Sequence, residues 1–344
     1  MNKILHRTII AGVFALWIQI CPEAFAQLDR VYPTQGPVVS GTISQAQPDG
    51  VVIQVGGAER KFTLDKIDRV VFNREPGPLT EGRSLVRQEQ YEAALAQLSQ
   101  INISEIDRDF IKADAMFYLA YCQAKVALAG QGDKNSAVKN MYGFVTTAGK
   151  NSFHFYDAAK TLGDLALAVG SYDNAVKYYG ALARASDANL QLQSRYLVGW
   201  SYLQQKQLDE AEKAFAAVAS ATVNSPEQLR YQKLSIAGQA AIAAAKGQAD
   251  QGLDSLNKLI EESDPADAEL FGRLYNAQGA CLAAKSDPEG AVLAYLKTHL
   301  LFPSDPDSHA EALAELVQLW PQVGHPERAN EARTILQARY PGRN

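Results

Sequence analysis

The chain has 344 residues and a formal net charge of −5 at pH 7, with 33 Lys and Arg against 38 Asp and Glu. Hydrophobic residues make up 47% of the sequence and charged residues 21%, a composition that excludes a disordered or collagen-like chain. Because the charge is mildly negative, no basic surface is predicted, and we expect no nucleic-acid partner.

The first 26 residues have the pattern of a secretory signal peptide. Lys3 and Arg7 precede an apolar run at residues 8–20, and residues 24–26 read Ala-Phe-Ala, a site suited to a signal peptidase. A membrane-spanning helix needs about 20 apolar residues, so a retained anchor is the weaker interpretation. We therefore expect cleavage after Ala26, a periplasmic or secreted protein, and no membrane span after cleavage.

The three cysteines do not form the pattern of a disulfide framework. Cys21 lies within the signal segment, where lipidation would need a small residue before it, and Ile20 stands there instead. Cys122 and Cys281 lie far apart in the sequence, and we expect both to be small buried hydrophobic side chains.

Residues 27–78 predict a small β-module. Short β-branched runs are separated by turn residues, at 38–43, 50–55, 61–64 and 67–72. About fifty residues are marginal for an independent core, so we expect the module to close into a small barrel or to lean on the first helices. The order of the runs resembles that of SH3-like and Sm-like barrels. Asp49 occupies the first turn in place of a basic residue, so no RNA site is carried over.

Residues 79–344 show helical periodicity in place of strand alternation. One small residue recurs through this stretch at spacings of 36 to 43 residues: Ala94, Ala137, Ala175, Ala211, Gly252, Ala291 and Ala329. Such a recurrence predicts seven tandem units, each made of two helices and a turn.

The fullest unit lies at residues 193–218. It has Gly199 and Tyr202 on its first helix and Ala211 and Phe215 on its second. This pattern resembles the tetratricopeptide repeat, whose units are about 34 residues long. The glycine and Ala211 are expected to meet where the two helices cross, because a close crossing needs side chains without bulk. The resemblance implies a mainly α solenoid of about seven repeats, preceded by the β-module and exported to the bacterial envelope.

No catalytic motif is present. The sequence has no His-Glu-x-x-His, no Cys-x-x-Cys, no Gly-x-Ser-x-Gly and no phosphate-binding Gly-x-x-x-x-Gly-Lys. The four histidines after the signal segment share no i, i+4 pair, so a helical metal site is not expected. We therefore expect no cofactor and no enzymatic activity. The alternative is an enzyme, or a dedicated enzyme subunit, with its site at the junction of the β-module and the repeats.

The resemblance also implies a binding surface, because the family turns first-helix side chains towards the concave groove of its solenoid. The positions concerned are occupied here by Lys160, Asp164, Tyr196, Trp200, Gln204 and Asn276. For Trp200, packing against the neighbouring repeat is an equally supported interpretation. We expect a non-catalytic scaffold or adaptor that binds a protein or peptide in this groove.

Overall fold

A computed structural model describes residues 28–340 of the chain. The expected signal peptide and its cleavage site after Ala26 lie outside the described residues. The described part consists of a five-stranded antiparallel sheet followed by fourteen α-helices in seven pairs. The predicted mainly α solenoid, preceded by a small β-module, is confirmed.

The strands are β1 (Asp29–Pro33), β2 (Val39–Gln47), β3 (Gly50–Val55), β4 (Ala58–Thr63) and β5 (Ile67–Val71). The helices are α1 (Gly77–Arg87), α2 (Tyr91–Leu98), α3 (Asp109–Leu128), α4 (Lys134–Thr146), α5 (Phe155–Ala168), α6 (Tyr172–Gly180), α7 (Ala188–Gln204), α8 (Leu208–Ala219), α9 (Pro226–Ala245), α10 (Ala249–Glu262), α11 (Ala268–Ala284), α12 (Pro288–Leu301), α13 (Pro306–Leu319) and α14 (Pro326–Arg339).

The sheet has the strand order β4-β3-β2-β1-β5, so β1 pairs with both β2 and β5. The sequence did not predict β1, because its five residues carry only a short apolar pattern. This strand is fixed by pairing on both sides instead. Among the described residues β4 and β5 form the two free edges and do not pair with each other. The sheet core, including Val31 and Ile53, is completed by Leu79, Leu98 and Ile111 from the first helices. The module therefore leans on the repeats, which was one of the two expected arrangements.

Polar contacts, among them those of Asp29 and Asp49, hold the β-module against the helices. The buried Asp29 carboxylate accepts hydrogen bonds from both terminal nitrogens of Arg108, at 2.8 Å each. Burial acts to raise the pKa of Asp29, but bonds from Arg108 and from backbone N–H groups outweigh it and lower that pKa. Asp49, in the turn after β2, accepts a bond from the backbone nitrogen of Ser186 at 2.8 Å. The module thus bridges the start of α3 and the turn before α7.

The seven recurring small residues all lie in second helices and are buried, as expected for a helix crossing. The partner of Gly199 differs from the expected Ala211. A Cβ at Gly199 would lie 2.9 Å from the Phe215 ring, so the aromatic side chain fills the space that the glycine leaves. A Cβ at Gly163 would collide in the same way with the ring of Tyr179. In both pairs the ring lies sixteen residues after the glycine in the chain. A glycine facing a ring therefore sets the helix spacing in these pairs and in the α11–α12 pair, where Gly279 meets Tyr295.

The last helices are joined by an imidazole cluster in which His309 is buried and His299 is half-buried. His299 Nδ1 lies 2.7 Å from His309 Nε2, and His309 Nδ1 lies 2.7 Å from the Tyr340 hydroxyl. The two imidazole rings are stacked at a centroid distance of 5.0 Å. Burial, together with the nearby charges of His299 and Arg339, lowers the pKa of His309 to about 4. The cluster ties α12, α13 and the end of α14 together while its rings are neutral.

Replacing Gly199 by Leu should reduce the free energy of unfolding by roughly 1–3 kcal/mol, because the new side chain collides with Phe215. Arg195→Leu, an exposed change on the same helix, should have little effect. Thermal melts of the two variants measure the difference. Equal shifts in melting temperature would mean that Gly199 does not set the helix spacing.

Acid should destabilise the C-terminal helices through His309. An unfolded histidine has a pKa of about 6.5, so below that pH the unfolded chain binds more protons than the folded one. The free energy of unfolding should therefore fall by roughly 2 kcal/mol between pH 7 and pH 5. His309→Gln should flatten this dependence in chemical unfolding curves. The exposed control His325→Gln should retain it, and a slope that survives His309→Gln would contradict the assignment.

Candidate partner-binding groove

Two cavities open between the first helices of the repeats. The groove cavity, of about 790 Å³, is bounded by the turn before α4, the end of α5, and helices α7, α11 and α13. The junction cavity, of about 470 Å³, lies between β5 of the β-module and helices α3 and α5. Each cavity is lined by side chains from several repeats, so neither exists within a single repeat.

The structure divides the six predicted binding residues into three groups. Trp200 and Gln204 line the groove cavity, and Lys160 and Asp164 line the junction cavity. Tyr196 and Asn276 line neither and are each only 2% exposed. Four of the six therefore border a cavity, although in two separate places. Their role in binding stays a prediction.

Tyr196 is placed in the core, which corrects its expected exposure to the groove. Its ring lies between Phe215 and Tyr231, at centroid distances of 6.1 and 5.8 Å. Tyr231 belongs to α9, the first helix of the next repeat, which covers this position as the repeats stack. The position of Tyr196 within its own repeat does not show that α9 of the next repeat buries it.

Asn276 is corrected in the same way. Its side-chain nitrogen donates a hydrogen bond to the Ser308 carbonyl at 2.9 Å. Ser308 lies in the first turn of α13, so the bond holds that turn against α11. The position suits a structural role between two repeats.

Trp200 is 7% exposed, and a guanidinium covers one face of its ring. The central carbon of Arg273 lies 3.8 Å from the ring centroid, a cation–π contact between α7 and α11. Phe215 lies 6.4 Å away, centroid to centroid, behind the same ring. Trp200 therefore contacts α8 of its own repeat and α11, which lies two repeats further along the chain. The exposed edge of its ring lines the groove cavity.

Arg273 is the main groove residue that the sequence pattern did not predict. It is 5% exposed and pairs with Glu311 at 3.4 Å and with Asp307 at 3.9 Å. Burial acts to lower the pKa of Arg273, but the electrostatic influence of Tyr196 and nearby carboxylates raises it. The sequence did contain one signal for this role, because Arg273 stands among the small and apolar residues of α11. An arginine that is buried in such a helix needs charged or polar partners.

An acidic wall faces Arg273. Asp307, Glu311 and Glu315 lie four residues apart on α13, which places all three on one side of the helix. The side chains of Asp307 and Glu311 are 44% and 35% exposed, and Glu315 is exposed. The acidic wall is therefore accessible from the groove cavity.

Lys160 and Asp164 pair with each other in the junction cavity. Lys160 Nζ lies 2.9 Å from Asp164 Oδ2, and the Tyr179 hydroxyl donates to Asp164 Oδ1 at 2.8 Å. Burial acts to lower the pKa of Lys160, and the neighbouring Asp164 carboxylate raises it overall. A ligand that used either side chain would have to compete with this pair.

The junction cavity also gathers Asp114 and His154. His154 Nε2 lies 2.8 Å from Asp114 Oδ1, and the imidazole stacks on Phe117 at a centroid distance of 4.0 Å. Asp114 is also within 3.5 Å of the Arg83 guanidinium. Thr161, the aliphatic hydroxyl in this wall, donates to the Asp157 carbonyl and is not presented as a nucleophile. The cluster joins α1 and α3 to the residue that precedes α5.

Within residues 28–340, no three His, Cys, Asp or Glu side chains lie close enough together to hold a metal ion. Cys122 and Cys281 are both buried and unpaired with one another. Burial raises their pKa values to about 12 and about 11, which disfavours the reactive thiolate. None of the described helices is both long and apolar enough to cross a bilayer.

Comparisons with known proteins find similarity to one family model and to solved structures. Residues 160–226 match the tetratricopeptide repeat family model. A solved tetratricopeptide repeat protein from Parabacteroides merdae ATCC 43184 gives a TM-score of 0.54 at 16% identity, covering 76% of this chain and 91% of that one. The apo form of the quorum sensor NprR from B. thuringiensis gives a TM-score of 0.49 at 12% identity, covering 76% of this chain and 86% of that one. A search of curated proteins finds no significant match.

A double-mutant cycle on Trp200 and Arg273 should measure their contact. Trp200→Ala alone should cost about 3–5 kcal/mol of unfolding free energy, since it leaves a space between α7 and α11. The coupling free energy with Arg273→Ala should be about 1–2 kcal/mol. Lys258→Ala, at an exposed site on α10, provides a second cycle in which the coupling with Trp200→Ala should vanish. Equal coupling in the two cycles would contradict a direct contact.

Proposed function

We propose that this chain, which is similar to tetratricopeptide repeat proteins, is a non-catalytic scaffold that binds a protein or peptide in the groove cavity. The observation that carries the proposal is the wall of that cavity. First-helix residues of four repeats line it, among them Trp200, Arg273 and Glu311. Solenoids present continuous surfaces of this kind for extended contact with partners.

The chemistry of the cavity supports a polypeptide ligand. A volume of about 790 Å³ holds several amino-acid residues and lies within the range of ligand sites. Trp200 supplies an aromatic edge, while Gln204 and the carboxylates of α13 supply polar contacts. Aromatic and arginine side chains surrounded by polar groups are typical of binding hot spots.

The proposed site of action is the periplasm or cell envelope. This part of the proposal is supported by the sequence of residues 1–26, with its basic start, apolar run and Ala-Phe-Ala end. Intact-mass measurement of the exported protein tests it. A mass that corresponds to a start at Gln27 is expected, whereas retention of residues 1–26 or a lipid on Cys21 would contradict it.

The ionisable groups of the junction cavity favour the alternative, an enzyme whose site lies beside the β-module. Asp114 and His154 form a carboxylate–imidazole pair of the kind that transfers protons in general acid–base catalysis. Both side chains are buried, however, and Asp114 also neutralises Arg83. Their mutual pairing and the absence of a presented nucleophile in this wall support a structural role, so the scaffold is the better proposal.

Site-specific photo-crosslinking tests the binding surface. A photoreactive amino acid at Gln204, on the groove cavity, should yield a discrete crosslinked product in cells that make the protein. The matched position is Gln251, an exposed glutamine on the second helix α10. We expect no such product from Gln251. Crosslinks of equal yield from both positions, or from Gln251 alone, would place the binding surface elsewhere.

A further inference from the structure

We propose that the exposed face of α12 joins two copies of this chain into a symmetric dimer. This face lies outside the groove cavity, because no residue of α12 lines that cavity. A dimer formed there extends the proposed scaffold without depending on it, since the groove cavity and the dimer interface are separate surfaces. The inference is carried by exposed leucines and by the order of the charges around them.

Three leucines of α12, here called the leucine face, are exposed to solvent. Leu293, Leu300 and Leu301 are 62%, 65% and 64% exposed, more than any other large hydrophobic side chain within residues 28–340. Leu293 and Leu300 lie seven residues apart, so they fall on one stripe of the helix, and Leu301 lies beside them. Single exposed leucines are common on folded proteins, but a contiguous apolar patch marks an interaction surface.

The second helices of the neighbouring repeats lack such a face. No large hydrophobic side chain is exposed on α10 or α14, both of which the structure describes in full. Their exposed positions carry polar residues instead, for example Asp254 and Lys258 on α10 and Glu331 and Arg333 on α14. The leucine face is therefore a property of α12 and does not follow from its place as a second helix.

A lipid surface is a poor match for this region. Membrane-binding faces combine exposed apolar residues with a surplus of Lys and Arg. On α12 the exposed charges are one Glu289 and one Lys297, and the exposed positions of α10 and α14 mix acidic with basic residues. The leucine face therefore suits a protein surface that is apolar at its centre and carries both charges.

The sequence of the face is complementary to itself. Glu289 and Lys297 lie four residues before and after Leu293, and both are exposed. With a two-fold axis at Leu293 and the two α12 helices antiparallel, Glu289 of each copy lies level with Lys297 of the other. Lys297 Nζ lies 4.7 Å from the Tyr275 ring, and within residues 28–340 neither charge has an ion-pair partner. A second copy thus offers leucine to leucine and an opposite charge to each charge.

The area of the leucine face fits a small dimer interface. Three leucines exposed to this extent provide roughly 300 Å² of apolar surface on each copy. A standard interface buries about 800 Å² on each partner, with an apolar core and a polar rim. The leucines are sufficient for such a core, and Glu289 and Lys297 belong to the rim.

Sedimentation velocity of the purified protein measures the association. The wild type should show a monomer–dimer equilibrium with a Kd on the order of 10 µM, because the interface is small. Leu293→Glu places two carboxylates at the two-fold axis and should raise this Kd at least about tenfold. The matched control is Gln251→Glu, an exposed change on α10, which should leave the Kd unchanged. Circular dichroism checks that both variants are folded.

Charge reversal distinguishes a second copy from any other occupant. Glu289→Lys or Lys297→Glu alone places like charges opposite each other and should weaken dimerisation about tenfold. An equimolar mixture of these two variants should associate as tightly as the wild type, because every pair in the mixed dimer again has opposite charges. Such a rescue requires that α12 of one copy faces α12 of the other.

Three results would overturn the dimer: a monomer at every concentration up to about 100 µM, an equal Kd for Leu293→Glu and the wild type, or no rescue in the mixture. A monomer that binds phosphatidylglycerol vesicles, and loses this binding with Leu293→Glu, would assign the leucine face to a membrane instead. A monomer that crosslinks from Leu300 to a different protein would assign it to that protein. All of these outcomes leave the scaffold proposal intact, because crosslinking from Gln204 tests that proposal at the groove cavity.

Discussion

The architecture depends on the close approach of the two helices within each repeat. In three of the seven pairs a glycine on the first helix faces a ring on the second: Gly163 faces Tyr179, Gly199 faces Phe215 and Gly279 faces Tyr295. Any larger residue at these glycines would force the helices apart, because protein interiors tolerate little added volume. The glycines therefore fix how these three pairs pack.

Stacking of the repeats brings together side chains that are distant in sequence. Trp200 on α7 meets Arg273 on α11, although another helix pair lies between them in the chain. Arg273 in turn reaches the carboxylates of α13, such as Glu311. These contacts have two consequences, since they hold three repeats together and also form one end of the groove cavity. The same residues thus contribute to stability and to the proposed binding surface in this part of the molecule.

The fold was largely predictable from sequence because its determinants are local to one repeat. Small residues such as Ala211 recur at the helix crossings, and the β-branched runs ending in β5 mark the β-module. The site was only partly predictable. The position of Tyr196 within its repeat suggests a groove residue, yet α9 of the next repeat buries it. Arg273 is a groove residue because of partners in other repeats, and a pattern confined to one unit contains no information about them.

The central claim is that partners bind on the side of the solenoid where α7, α11 and α13 line the groove cavity. Hydrogen–deuterium exchange of the protein with and without its crosslinked partner tests this claim most directly. Protection is expected in α13 and in the end of α7 that carries Trp200 and Gln204, with little change in α10 and α12. Protection confined to α10, α12 and α14 would contradict the account, because these second helices do not line the groove cavity.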